Sequence, residues 1–223
     1  MNQQIIFKEL GTMAYAEAYE YQLKLFNETI EKKKKGEPTE NRLLFVEHPH
    51  VYTLGKSGDY ANLMIPESFL QKINATFFKT DRGGDITYHG YGQIVIYPIF
   101  DLDNFGILIK KYIQAIEEAI IRTLKEFGLE GKRINGAAGI WLTDRPRFEK
   151  ICALGVRVSR AVTMHGLAFN VNTNLDYFNH INPCGFTDKG VTSLQKELGK
   201  EINVDEVKEL LKKYYSEVFE ELK

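Results

Sequence analysis

Asp81-Arg82-Gly83-Gly84-Asp85-Ile86-Thr87-Tyr88-His89-Gly90-Tyr91-Gly92-Gln93 is the stretch on which the reading of this chain turns. It sets four glycines, one arginine, one histidine and two tyrosines between two apolar runs, Ala75 to Phe78 and Ile94 to Phe100. Glycine at this density means backbone angles that other residues avoid, or a ligand brought close to the main chain. Polar side chains interleaved with it suggest a surface that holds a substrate. The plainer reading is a hairpin loop with ordinary turn glycines.

Around that stretch the pattern alternates between β and α. Ile5 to Leu10 reads as a strand ended by Gly11, and Thr12 as the cap of a helix to about Lys35 with Ala18, Tyr21, Leu25 and Thr29 on one side. Lys32-Lys33-Lys34-Lys35 complements the C-terminal end of that helix; the sharper reading is a docking patch for an acidic carrier protein. Arg42 to Glu47 and Val51 to Leu54 are short strands, and Lys56 to Pro66 a polar loop. Gln93 to Phe100 is apolar enough for a buried strand. A helix then runs from Asp103 or Asn104 to about Phe127, carrying Ile113, Ile116, Ile120 and Leu124 at helical spacing and ending at Gly128 and Gly131. Gly139 to Leu142, Lys150 to Arg157 and Val162 to Val171 form a β-meander. Asn203 with Glu206 resembles a capping box for a last helix bearing Val204, Val207, Leu211, Tyr214, Val218 and Leu222. No linker or repeat interrupts the chain, so one α+β domain over residues 1–223 is expected.

With 29 basic and 30 acidic side chains the net charge is -1, which gives no global attraction to nucleic acid or to an anionic membrane. No apolar run approaches the roughly 20 residues that span a bilayer. Met1-Asn2-Gln3-Gln4 lacks the regions of a signal peptide, and two cysteines make no disulfide framework, so a cytoplasmic protein is expected. His48-Pro49-His50 has no carboxylate or cysteine in a recognisable ligand pattern with it, and no metal is expected there.

Two thiols remain. Cys152, inside Ile151-Cys152-Ala153-Leu154, suits a small hydrophobe on a buried strand. Cys184 stands between Pro183 and Gly185, a turn where a nucleophile and a structural thiol are equally at home. A free thiol titrates near ~8.5, so a nucleophilic cysteine needs a neighbouring cation. Lys150, His89, His165 and Lys189 are candidates, and spacing does not choose among them. By default His165 is a satisfied strand histidine and Lys150 a solvated strand end.

Arg82 to Gln93 also resembles the signature of the LipB octanoyltransferase family of lipoate biosynthesis. Glu47 to Gly55 resembles its early motif, and Lys150, Ala153 to Arg157, His165 to Asn170 and Pro183-Cys184-Gly185 its later ones, all in order. Tyr91 and His50 stand where that family usually has proline, and Asp85 at a variable position. The resemblance implies the fold of biotin and lipoate protein ligases, a mixed β-sheet with flanking helices. It implies transfer of an octanoyl group from octanoyl-acyl carrier protein to a lysine of lipoyl domains, those of 2-oxoacid dehydrogenases (their E2 subunits) and the glycine cleavage system (its H protein). Cys184 would carry the acyl group as a thioester and Lys150 would lower its pKa, with no cofactor and no metal. Arg82, Gly83, Gly84, Asp85, Ile86, Thr87, Tyr88, His89, Ala153, Leu154, Gly155, Gly166, Leu167 and Ala168 would line the acyl site. A ligase that activates a free acid with ATP, an amidotransferase between lipoyl domains and a non-catalytic binding module are the rival readings.

Overall fold

Gln93–Ile99 is buried at every position, as a near-continuous apolar run demands, and it forms the middle of the larger sheet. The computed structural model of the chain describes residues 2–182 and 189–222. In chain order the strands are β1 (Ile5–Thr12), β2 (Asn41–Glu47), β3 (Val51–Leu54), β4 (Thr76–Lys79), β5 (Ile86–His89), β6 (Gln93–Ile99), β7 (Gly131–Ile134), β8 (Ala137–Leu142), β9 (Glu149–Ser159), β10 (Val162–Asn170) and β11 (Gly190–Val191). The helices are α1 (Tyr15–Lys34), α2 (Glu67–Leu70), α3 (Ile109–Glu126), α4 (Leu194–Leu198) and α5 (Val204–Glu220).

Two sheets result. The larger runs β1-β2-β6-β10-β9-β8-β7, with β11 added parallel to β9. It is mixed: β1 and β2 are parallel, and the strands from β2 onward along that order pair antiparallel. The smaller sheet is β4-β3-β5. Helices α3 and α5 pack with one face of the large sheet around Ile96, Ile120, Leu167 and Leu211. Helix α1 covers the other face through Ala18, Leu25 and Phe26 against Val95, Tyr97 and Ala168. This is the mixed sheet with flanking helices that the resemblance implied.

Local chemistry explains the boundaries, including those that differ from expectation. Thr12 ends β1 instead of capping α1, because its hydroxyl donates to Glu47 Oε2 at 2.9 Å. The helix after β6 begins at Ile109, later than Asp103 or Asn104: Asp101 caps a 3-10 turn, Leu102–Phe105, and Gly106 at φ 64° breaks the path. Asn203 does cap α5, its Oδ1 accepting from the amides of Asp205 and Glu206. That helix buries Tyr215 and Phe219 beside Val207, Leu211 and Val218, one position round from Tyr214. At the far end of α1, Lys33 pairs with Asp101 and Asp103.

The glycine-rich stretch joins the sheets. Arg82 is buried and its guanidinium donates to Thr53 O at 2.7 Å and Asp85 O at 2.8 Å, gripping the end of β3. One residue on, the Gly83 amide donates to Val156 O of β9 at 3.0 Å. Glycine is required where these backbones approach. A Cβ on Gly55 would stand 2.2 Å from Gly84 O, and one on Gly155 would stand 2.6 Å from Gly83 O. Gly55→Ala and Gly155→Ala should therefore each lose roughly 1–3 kcal/mol of stability by denaturant titration. Gly83→Ala, whose nearest neighbour would be Val156 O at 3.2 Å, should lose less.

Candidate active site

Between the two sheets lies a cavity of about 1170 Å³. Its floor is the face of β6, β10 and β9 that α1 does not finish covering, and its roof is β5 with the 3-10 turn Leu175–His180. Period-two alternation sorts β5: Thr87 and His89 line the cavity, while the Tyr88 ring packs inside the small sheet and its hydroxyl meets His50 Nδ1 at 2.7 Å.

Of the residues singled out in the sequence, Arg82, Gly84, Asp85, Ile86, Thr87, His89, Lys150, Ala153, Leu154, Gly155, Gly166, Leu167 and Ala168 all line this cavity. Gly83 and Tyr88 do not; Gly83 is spent on β9 and Tyr88 on the small sheet. Cys184 lies outside the described residues; Asn182 and Lys189, the described residues on either side of 183–188, both line this cavity. Tyr91 is half exposed, meets His50 edge-on at 5.1 Å and is not among the lining residues.

Lys150 reaches the cavity through an irregularity. Across β8 and β9, Ile140 faces Cys152 and Trp141 faces Lys150, so Ile151 is an extra residue on β9. Without that bulge, strict alternation would send Lys150 to the same side as Cys152, into the core shared with α3 and α5. The bulge turns it to the opposite side. There its Nζ lies 4.6 Å from the centre of the Trp141 ring, which is fixed by its own Nε1–H donating to Ala137 O at 3.0 Å. Cys152 is fully buried, and burial pushes its thiol pKa up, away from nucleophilic use.

The inner end of the cavity is a set of buried histidines and tyrosines. His165 has φ 59°, and its amide donates to Gln22 Oε1 of α1 at 3.0 Å. Its ring Nε2 donates to Asp81 Oδ1 at 2.8 Å, and Asp81 also pairs with Arg157. Burial lowers the His165 pKa against the pull of Asp81, whereas the bond from His165 holds the Asp81 carboxyl below its usual range. The pair is a neutral imidazole donating to a carboxylate. His89 shares Nδ1 with Gln93 Oε1 at 2.8 Å and Nε2 with Thr53 at 3.3 Å, and burial puts its pKa well below the usual value. His48 is bonded at Nδ1 to Met13 O and at Nε2 to the Tyr97 hydroxyl, and burial pushes it down to about 4. Among the described residues no group of three or more histidine, cysteine or acidic side chains is arranged to hold a metal. None of their helices is long and apolar enough to cross a membrane.

The profile of the lipoyl protein ligase A/B catalytic domain matches residues 14–216. The chain belongs to this family. It is 55% identical over 228 residues to an octanoyltransferase of Christiangramia forsetii, covering 99% of this chain and 97% of that protein. An octanoyltransferase of Flavobacterium johnsoniae is 53% identical, covering 99% of this chain and 98% of its own. Among solved structures, a bipartite lipoate protein ligase of Thermoplasma acidophilum superposes with a TM-score of 0.70 at 16% identity, over 96% of this chain and 83% of that one. A lipoate-protein ligase A bound with ATP gives 0.70 at 17% identity, over 99% and 86%. The last two establish a shared fold.

Tyr15, Gln93, Val95, Tyr97, Trp141 and Asn170 also line the cavity; Gln93 and Asn170 stand in the family motifs without a site role, and the other four carry no motif. For Gln93, Val95 and Tyr97 a period of two was present but hidden, because both faces of β6 are buried.

Three buried neutral histidines make the fold acid-sensitive. Unfolded imidazoles titrate near ~6.5, so below that pH unfolding takes up a proton at His48, His89 and His165. Stability should be complete above about pH 6.5 and fall toward pH ~4, by up to about 1.4 kcal/mol per pH unit for each histidine. Melting temperatures at about pH 7.5 and about pH 5 measure this; equal values would show that these rings do not titrate on unfolding.

Proposed function

We propose that this acyltransferase moves an octanoyl group from octanoyl-acyl carrier protein to a specific lysine of lipoyl domains, the first step of endogenous protein lipoylation. The acceptors are the E2 subunits of 2-oxoacid dehydrogenases and the glycine cleavage H protein. Residues 1–223 act as one catalytic domain in the cytoplasm, without cofactor or metal. The reading is supported by the near full-length identity to octanoyltransferases. The observation that carries it to residues is that Lys150, Asn182 and Lys189 line one cavity, the last two flanking the segment of Cys184.

In this mechanism the Cys184 sulfur attacks the carbonyl carbon of the acyl-carrier thioester. The new C–S bond forms, the bond to the carrier sulfur breaks, and the carrier leaves as a thiol carrying the proton that Cys184 loses. One thioester replaces another, so no ATP is consumed. The neutral amine of the target lysine then attacks the same carbon, a C–N bond forms and Cys184 departs. An amide lies below a thioester in energy, which makes the second step the committed one. Lys150, placed over Trp141, takes the Cys184 proton as a neutral amine, pairs as an ammonium with the thiolate so formed, and returns that proton to the departing carrier sulfur. Backbone N–H groups of the glycine-rich loop or of the Cys184 turn hold the oxyanion of each tetrahedral intermediate. The other residues of the acyl site are Arg82, Gly84, Asp85, Ile86, Thr87, His89, Ala153, Leu154, Gly155, Gly166, Leu167 and Ala168, with Gly83 and Tyr88 holding the loop and β5 behind them.

Intact-protein mass spectrometry after mixing with octanoyl-carrier protein, without ATP, tests the reading. An octanoyl adduct should form, be removed by hydroxylamine and be absent in Cys184→Ser. Lys150→Met should slow its formation roughly 10²–10⁴-fold, the range for loss of a proton-transfer group. An adduct that survives Cys184→Ser, or that forms only with ATP, would sink the thioester route and point to ligase-type activation.

A further inference from the structure

The cavity floor has a graded profile that assigns a length to its occupant. On the face toward the roof, Ala153 of β9 pairs with Ala168 of β10, and Ala168 pairs with Val95 of β6, a rung of small side chains. On the next rung of the same face Gly155 pairs with Gly166, and the neighbouring position on β6 is Tyr97. The glycine-rich loop crowds this rung from above, since a Cβ on Gly155 would meet Gly83 O at 2.6 Å, while β6 crowds it from the side, since a Cβ on Gly166 would meet Ile96 O at 2.1 Å. The floor therefore narrows at the rung of Tyr97, whose ring is the one large side chain on it.

Tyr97 is a rigid stop. Met13 O accepts from His48 Nδ1 at 2.7 Å, so His48 Nε2 is the acceptor and the Tyr97 hydroxyl donates to it at 2.8 Å. The His48 ring is itself wedged edge-on between Tyr15 at 5.3 Å and His89 at 5.9 Å. Nothing in that cluster swings aside cheaply. Distances along the sheet match a chain of moderate length. Counted round the bulge, the Gly155 rung is four ladder steps from Lys150, about 13 Å. An extended eight-carbon acyl chain is roughly 9 Å long from zigzag bonds of about 1.5 Å. With its carbonyl near Lys150, its terminal methyl falls past the Ala153–Ala168 rung, short of the Tyr97 ring.

We propose that Tyr97 and Ala168 set the acyl length: Tyr97 is the wall at which the terminal methyl stops, and Ala168 the floor under the preceding carbons. The proposal rests on the acyl-transfer reading above and adds which side chains choose among acyl groups. Leucine at position 168 would fill the floor, and leucine at position 97 would open the wall. Because each methylene buried is worth a several-fold preference, a shift of two carbons should read as roughly tenfold.

The experiment is competition among hexanoyl-, octanoyl-, decanoyl- and dodecanoyl-carrier protein, scored as the ratio of acyl-enzyme masses. Wild type should favour octanoyl. Ala168→Leu should shift the hexanoyl-to-octanoyl ratio up about tenfold, and Tyr97→Leu the decanoyl-to-octanoyl ratio up by a similar factor. Tyr97→Phe, which keeps the ring, should leave the ratios within about twofold of wild type. Because Tyr97 is buried, each variant is melted first, and Ala168→Leu decides the matter if Tyr97→Leu does not fold. Acyl-enzyme that forms with unchanged ratios in the folded variants would overturn the length assignment alone. No acyl-enzyme from any donor in wild type would overturn the acyl-transfer reading and this one with it.

Discussion

Everything around the cavity depends on one buried cation. Arg82 spends its guanidinium on the backbone of Thr53 and Asp85, so the end of β3 and the glycine-rich loop behave as one piece. Its neighbours reach the other way: Asp81 takes His165 and Arg157, and Gly83 bonds to Val156. Within three residues the chain is tied to both sheets. A buried guanidinium is costly unless its donors are satisfied, and here carbonyl oxygens satisfy them. Short of glycine at 55 and 155, the backbones could not come close enough for those bonds to form.

Two interruptions in otherwise regular strands then aim the polar groups. The extra residue Ile151 turns Lys150 out of the core and over Trp141. In β10 the left-handed His165 breaks the strand, and its amide is satisfied by Gln22 of α1. One interruption lies at the Lys150 end of the cavity and the other at its inner end. Between them the regular rungs carry small residues, which gives a space with a polar group at each end and an apolar floor.

Much of the fold was legible in the residues. Helix α3 and helix α5 announce themselves by apolar spacing, α5 also by its Asn203 cap, and β6 by an unbroken apolar run. Other features left weak marks. Strand β5 lies inside the glycine-rich stretch and reads as loop, because its four residues are too few to show a period. The hairpin joining β9 to β10 turns on Arg160 and Ala161, both at positive φ, where glycine or asparagine is the usual signal. The cavity residues of the glycine-rich stretch and of the two meander strands were legible through motif resemblance; Tyr97 and Trp141 were hidden in strands that simply look buried.

Sequence alone determined the types of the longer elements, the alternation of sheet and helix, the family, and the set of polar residues from which a site is built. These depend on local periodicity, caps and short motifs, whose physics acts over a few residues. The tertiary structure decided which of those residues meet. The side of the sheet that Lys150 faces depends on a bulge defined only by pairing with β8. The neutrality of His48, His89 and His165 depends on burial between sheets and helix. The depth of the cavity depends on Tyr97 being pinned by a histidine 49 residues away. Each is a contact between distant parts of the chain, and no local pattern records it.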